Sequence, residues 1–115
     1  MGRLTTHVLD TTSGTPAAGV AIRLFSLAEQ RELISTVTTN LDGRTDTALL
    51  DEASISTGTF ELEFDIGDYF ARQDVTLAEP AFLGTVVIRF SIRADEDYHV
   101  PLLASPWAYS TYRGS

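Results

Sequence analysis

Apolar and polar residues alternate with period two along most of this chain, and Gly, Pro or Asp breaks the alternation at short intervals. That pattern commits a chain to half-buried β-strands, because an extended backbone sends successive side chains to opposite faces. The clearest segment sets Val86, Ile88, Phe90 and Ile92 against Thr85, Val87, Arg89 and Ser91. Phe60, Leu62 and Phe64 alternate with Thr59, Glu61 and Glu63, which assigns the aromatics to a core and the carboxylates to water. Val20, Ile22 and Leu24 form a third set, and further strands are expected over Leu4 to Leu9, Leu33 to Thr39, Tyr98 to Leu103 and Trp107 to Tyr112.

The breaks read as turns. "TSGTPAAG" (Thr12 to Gly19) carries two glycines and a proline, and "NLDGR" (Asn40 to Arg44) carries an Asp-Gly suited to the positive backbone angles of a tight turn. One segment changes period: Ile66, Tyr69 and Phe70 fall at i, i+3 and i+4. A short helix is expected there, capped by Asp65, with Asp68 in its first turn at the positive end of the dipole and an end near Gln73. The sum is an all-β chain: two packed sheets of seven or eight strands with one short helix, a small β-sandwich. At 115 residues, positions 1–115 form one expected domain.

Composition narrows the partners. Sixteen acidic residues face eight basic ones, all of them Arg, and a net charge of −8 disfavours nucleic acid and anionic membrane surfaces. There is no cysteine, so disulfide and thiolate chemistry are not available. No apolar run approaches the roughly 20 residues of a membrane span, and the start does not resemble a signal peptide, so a cytoplasmic protein, or one of an organelle matrix, is expected.

Few residues are suited to chemistry. The two histidines, His7 and His99, fall inside expected strands; His7 shares a face with Thr5 and Leu9, and His99 shares one with Asp97 and Pro101. Each reads either as a satisfied strand histidine or as a group for proton transfer near neutral pH. Two histidines with Asp97 do not match a known zinc spacing, so no metal and no cofactor are expected. Arg44, just past the Asp42-Gly43 turn, reads as a solvated turn arginine or as a planar clamp for a carboxylate or amide carbonyl. The run Asp95, Glu96, Asp97 reads most simply as a solvated loop.

The sequence has no G-x-S-x-G elbow, glycine-rich phosphate loop, H-E-x-x-H or Cys nucleophile, so a hydrolase built from this chain would activate water directly. The ending "SPWAYSTYRGS" crowds a Trp, two Tyr and Arg113 where termini ordinarily fray. Trp107, Tyr109 and Thr111 share one face, while Ala108, Ser110 and Tyr112 share the other. Small neighbours give Tyr112 room for a ligand, and exposed aromatics equally suit a subunit contact.

Three blocks resemble the 5-hydroxyisourate hydrolases, the transthyretin-related enzymes of urate breakdown: "LTTHVLDTTSGTPAAGV" (Leu4 to Val20), "TTNLDGR" (Thr38 to Arg44) and "YHVPLLASPWAYSTYRGS" (Tyr98 to Ser115). The closing Tyr112-Arg113-Gly114-Ser115 is that family's most specific mark, and transthyretin, the hormone carrier of the same fold, lacks it. The resemblance implies a transthyretin-like sandwich that hydrolyses 5-hydroxyisourate, with catalytic roles for His7, Arg44, His99 and Ser115 and substrate contacts from His7, Arg44, Tyr112 and Arg113. Either histidine could be the base, and Ser115 could act through its hydroxyl or a terminal carboxylate. It implies a homotetramer, a dimer of dimers with sites in the channel between them, and family locations that include the peroxisomal matrix and periplasm. Two positions depart from the family's usual pattern: Asp97-Tyr98-His99 stands for His-Tyr-His, and Phe82-Leu83-Gly84 for Phe-Phe-Pro. The first would place a carboxylate near His99 and alter its state. A non-catalytic carrier of small aromatic ligands is the competing reading, and a plain adhesion or accessory sandwich is a third.

Overall fold

The computed structural model describes residues 2–73 and 77–115. One antiparallel sheet has the order β5 (Glu32–Thr38), β4 (Ala21–Ser26), β6 (Gly58–Phe64), β7 (Val86–Ile92). A second has the order β10 (Tyr109–Ser110), β9 (Leu102–Ala104), β2 (Val8–Asp10), β3 (Thr15–Pro16), and beside it β1 (Leu4–Thr5) pairs in parallel with β8 (Tyr98–His99). The expected strands over Leu4 to Leu9 and Tyr98 to Leu103 are thus each divided in two. Their ladder nevertheless runs through the gap: Tyr98 N–H donates to Arg3 O, Val100 N–H to Thr5 O and Leu102 N–H to His7 O, each at 2.9 Å. Taken as continuous runs, β1/β2 and β8/β9 reduce the ten short strands to eight.

The two-residue period is realised in the packing. Leu4, Thr6, Val8 and Asp10 are buried, while Thr5, His7 and Leu9 lie half-buried on the opposite face. Leu4, Val8, Val100 and Leu102 join Ile22, Leu24, Leu62 and Phe64 of the other sheet in one apolar core. The helix α1 (Ile66–Ala71) adds Ile66, Tyr69 and Phe70 to it. Among the described residues no helix is long and apolar enough to cross a membrane.

Two expectations about carboxylates are corrected. Asp65 occupies the N-cap position of α1 but makes no side-chain cap; its carboxylate takes both terminal nitrogens of Arg23, at 2.6 and 2.9 Å, and the Thr85 hydroxyl. A bidentate guanidinium is a stronger partner than a helix-end N–H, and it draws the carboxylate away. Glu61 is not in water either, being only 6% exposed. It sits on one of the two inner strands of its sheet, flanked by Arg89 at 2.8 Å and Arg31 at 3.2 Å, and Arg31 also covers the Phe25 ring. The Arg89 bond, with Arg31 behind it, holds the Glu61 carboxyl below its usual range.

The helix is tied to the second sheet by one buried bond, Tyr69 OH donating to Asp10 Oδ2 at 2.8 Å. Burial and that partner push the Tyr69 phenol up to about 12. Because the folded state resists ionising it, stability held below about pH 10 is lost progressively as pH rises towards 12. Tyr69→Phe should cost about 1–3 kcal/mol in denaturant unfolding at neutral pH and remove this tyrosine's share of the alkaline loss, checked by repeating the measurement from pH 9 to 11.5.

Candidate active site

The site is assembled by backbone pairing from three distant parts of the chain. The first pairing is the parallel register of β1 with β8, which puts Thr5 opposite His99. Thr5 and His7 are two apart on one strand and share a face, so His7 and His99 are presented on the same side of the sheet. Thr5 Oγ1 lies 2.9 Å from His99 Nδ1.

The second part is the Asn40–Arg44 turn. Asn40 organises it: its Oδ1 accepts from the N–H groups of Asp42 and Arg44, and its own N–H donates to Arg44 O. The turn then docks on the first strand through Val8 N–H to Gly43 O at 2.8 Å, and Arg44 forms an antiparallel bridge with His7. Gly43 permits this approach. Its φ is +73°, and a Cβ there would lie 2.4 Å from Val8 O. The turn also supplies His7's partner, since Nε2 is 2.8 Å from Asp42 O. A carbonyl only accepts, so Nε2 carries the proton.

The third part is the tail. β10 pairs with β9, and Gly114 bridges His99, with His99 N–H donating to Gly114 O at 3.1 Å and Gly114 N–H to His99 O at 2.7 Å. A Cβ on Gly114 would meet His99 Cβ at 3.1 Å, His99 Cδ2 at 3.4 Å and Tyr112 Cε1 at 3.4 Å. The glycine is therefore the filler between the two rings, and a side chain there would force one of them aside. Ser115 follows at the rim, exposed.

His7, Arg44, His99 and the Gly114-Ser115 segment are thus brought together, while Tyr112 lies against Gly114 and lines a neighbouring hollow with Ile88, Phe90 and Tyr98. Arg113 is turned elsewhere: its guanidinium lies 4.3 Å over the Tyr98 ring and donates to Glu96 at 3.2 Å and to Asp97 O at 3.1 Å. The acidic run that reads as a solvated loop is partnered throughout. Asp95 accepts from Gly2 N–H and Asp97 from Arg3 N–H, so these carboxylates clamp the first residues while Glu96 holds the tail. Asp97 is accordingly spent on Arg3, and the groups that act on His99 are others.

Burial, then the charge of Arg44, then that of His7, hold the His99 imidazole below its ordinary value. His99 therefore stays neutral, a ring with a lone pair to offer, at pH values where a free histidine is charged. A polar hollow of about 160 Å³ lined by Thr5, Arg44, Thr45, Asp46 and Arg3 adjoins these groups. A larger cavity, about 500 Å³, lies between α1 and residues 77–85 and holds none of them. Sequence reasoning passed over Thr5 and Gly114 as individual actors. For Thr5 the signal was available in its shared parity with His7; for Gly114 it was the pairing of the tail with His99, which no local pattern encodes.

A transthyretin-type sandwich bearing two imidazoles and a guanidinium on one sheet face, closed by an ordered tail, defines the class. The chain belongs to the HIUase/Transthyretin family, whose model matches residues 4–114. A protein named 5-hydroxyisourate hydrolase 2 from Rhizobium meliloti is 58% identical over 116 residues, covering 99% of this chain and 97% of that one. The solved Klebsiella pneumoniae 5-hydroxyisourate hydrolase matches at TM-score 0.82 and 34% identity over 100% of both chains. The crystal structure of (S)-allantoin synthase matches at TM-score 0.93 and 43% identity, covering 99% of this chain, which spans 44% of that one.

In a pH titration followed by imidazole NMR, His99 should titrate below 6.5. Arg44→Gln should move its midpoint upward, because removing a neighbouring positive charge makes the imidazolium easier to form. A downward move would contradict the assignment of Arg44 as a neighbour of that ring.

Proposed function

We propose that this chain hydrolyses 5-hydroxyisourate by adding water to a lactam carbonyl of its six-membered ring. The observation that carries the proposal is the meeting of a neutral, partly buried His99 with Arg44 and His7 beneath an ordered tail. Relatives bearing the hydrolase name over the full length of this chain support it from a separate direction.

In this mechanism His99 Nε2 takes a proton from water as the oxygen adds to the carbonyl carbon. The tetrahedral oxyanion is stabilised by the Arg44 guanidinium. Collapse breaks the C–N bond, the departing nitrogen receives the proton back from His99, and the new carboxylic acid ionises. No metal or cofactor is required, because water is activated by a base whose lone pair is available at neutral pH. His7, its Nε2–H committed to Asp42 O, offers Nδ1 to an N–H of the substrate ring. Tyr112 borders the ring, and Ser115 orients water or substrate at the rim. Arg113 serves the substrate indirectly, by fixing the tail through Glu96 and Tyr98.

The site lies open on one protomer, and the same C-terminal segment exposes Trp107, Tyr109 and Tyr112 by 46–59%, with Trp107 set against Phe82 rather than at the histidines. A homotetramer that closes the site between dimers accounts for both the openness and the aromatics. A carrier of small ligands would use the same surface, but it has no need of a ring held neutral or of a glycine wedged against it.

The test is the decay of 5-hydroxyisourate absorbance after urate is oxidised in situ, against the spontaneous rate. The protein should accelerate it, with an acid limb in kcat/KM below pH 6.5, since the base stays unprotonated to lower pH than a free histidine. His99→Asn should lower kcat by about 10²–10⁴-fold with the fold intact by circular dichroism. Removing Gly114 and Ser115 should abolish turnover, and full activity in that variant would overturn the site.

A further inference from the structure

We propose that Thr5 is a positioning residue for His99: its hydroxyl oxygen accepts a hydrogen bond from Nδ1–H and so holds the ring in the tautomer whose bare Nε2 faces the reacting water. The inference deepens the reading above and rests on His99 being the base.

The two imidazoles differ in their anchors. His7 is held at Nε2 by a backbone carbonyl, which admits one tautomer only. His99 is held at the other nitrogen, Nδ1, by a hydroxyl 2.9 Å away, and a hydroxyl can donate or accept. Among the described residues Nε2 of His99 has no hydrogen-bond partner, so it is the nitrogen left for chemistry. A hydroxyl that donated to Nδ1 would leave the proton on Nε2, and that atom could not then take one from water. With the hydroxyl accepting, its own hydrogen has the polar hollow beside Arg44 and Thr45 to turn into.

The backbone makes Thr5 a firm anchor. Thr5 pairs with His99 in the parallel ladder, and its carbonyl accepts from Val100 N–H at 2.9 Å, one residue beyond the ring it orients. A β-branched side chain has few rotamers to choose from, so the fixed backbone fixes the hydroxyl. Gly114 closes the opposite edge of the ring at Cδ2, next to Nε2. The charged and titratable groups facing the ring are Arg44 and His7. Asp97 is bound to Arg3 N–H, Arg113 to Glu96, and Arg3 lies 3.6 Å from Glu52. None of those three offers Nδ1 a competing partner.

The experiment has two arms on the whole protein. Nitrogen-15 NMR of the imidazoles, assigned with His7→Asn, should show the neutral His99 protonated at Nδ1 and His7 at Nε2. In the kinetic arm Thr5→Val, which keeps the shape and removes the hydroxyl, should lower kcat by about 10–100-fold with KM within about threefold, the scale of a misoriented catalytic group. It should also shift the acid limb to lower pH, because an acceptor at Nδ1 favours the imidazolium. Thr5→Ser should restore kcat to within about threefold of the original. Three results would overturn the proposal: His99 found protonated at Nε2, a Thr5→Val acid limb moved to higher pH as expected for loss of a donor, or a Thr5→Val profile unchanged. If the unaltered protein did not accelerate 5-hydroxyisourate decay, the reading of the site would fall instead, and the tautomer arm would still decide the role of Thr5.

Discussion

The parallel pairing of residues 3–10 with residues 98–104 is the constraint on which the site depends. Its hydrogen bonds continue through the points where both strands lose regular geometry, at Thr6-His7 and Val100-Pro101. In a β-ladder a slip of one residue exchanges the two faces. Here such a slip would send His7 and Thr5 into the core and bring Leu4, Thr6 and Val8 out, so the apolar core that sets the register also sets the chemistry.

The remaining pieces dock on that frame by backbone rather than by side chain. Gly43 brings the turn against Val8, and Gly114 brings the tail against His99, each at a distance that excludes a Cβ or leaves it almost no room. Close backbone approach is stiff, and stiffness is what a base, a guanidinium and a positioning hydroxyl need to keep sub-ångström relations. The tail is secured a second time by Arg113 on Tyr98 and Glu96, which explains a large charged side chain so near the end of the sequence. Bringing Arg44 close to His99 also has an electrostatic consequence: the positive charge that would stabilise an oxyanion is one of those that keep the imidazole neutral. One residue thereby prepares both the base and the place where negative charge develops.

Much of the fold was legible because alternation reports burial directly. The segments around Leu62 and Ile88 fold as the pattern implies, and the change of period at Ile66 marks α1. What pattern could not reveal were partnerships across sequence. Glu61 has the parity of a solvated residue and is buried because Arg89 and Arg31 reach over it. Asp65 has the identity and place of a cap, yet Arg23 from β4 claims its carboxylate. The acidic run 95–97 has the composition of a free loop and serves as a clamp for Gly2, Arg3 and Arg113. At the site the residue types came from sequence and resemblance, while the neutral state of His99 and the anchoring by Thr5 required the register between chain ends 94 residues apart.

Amide hydrogen exchange at Gly114 tests the account most directly. The account requires the Gly114 N–H, bonded to His99 O at 2.7 Å, and the His99 N–H, bonded to Gly114 O, to exchange slowly together, as members of one ladder. A Gly114 amide that exchanged at the rate of a free terminus while the His99 amide stayed protected would show the tail to be loose, and the site as described would not exist.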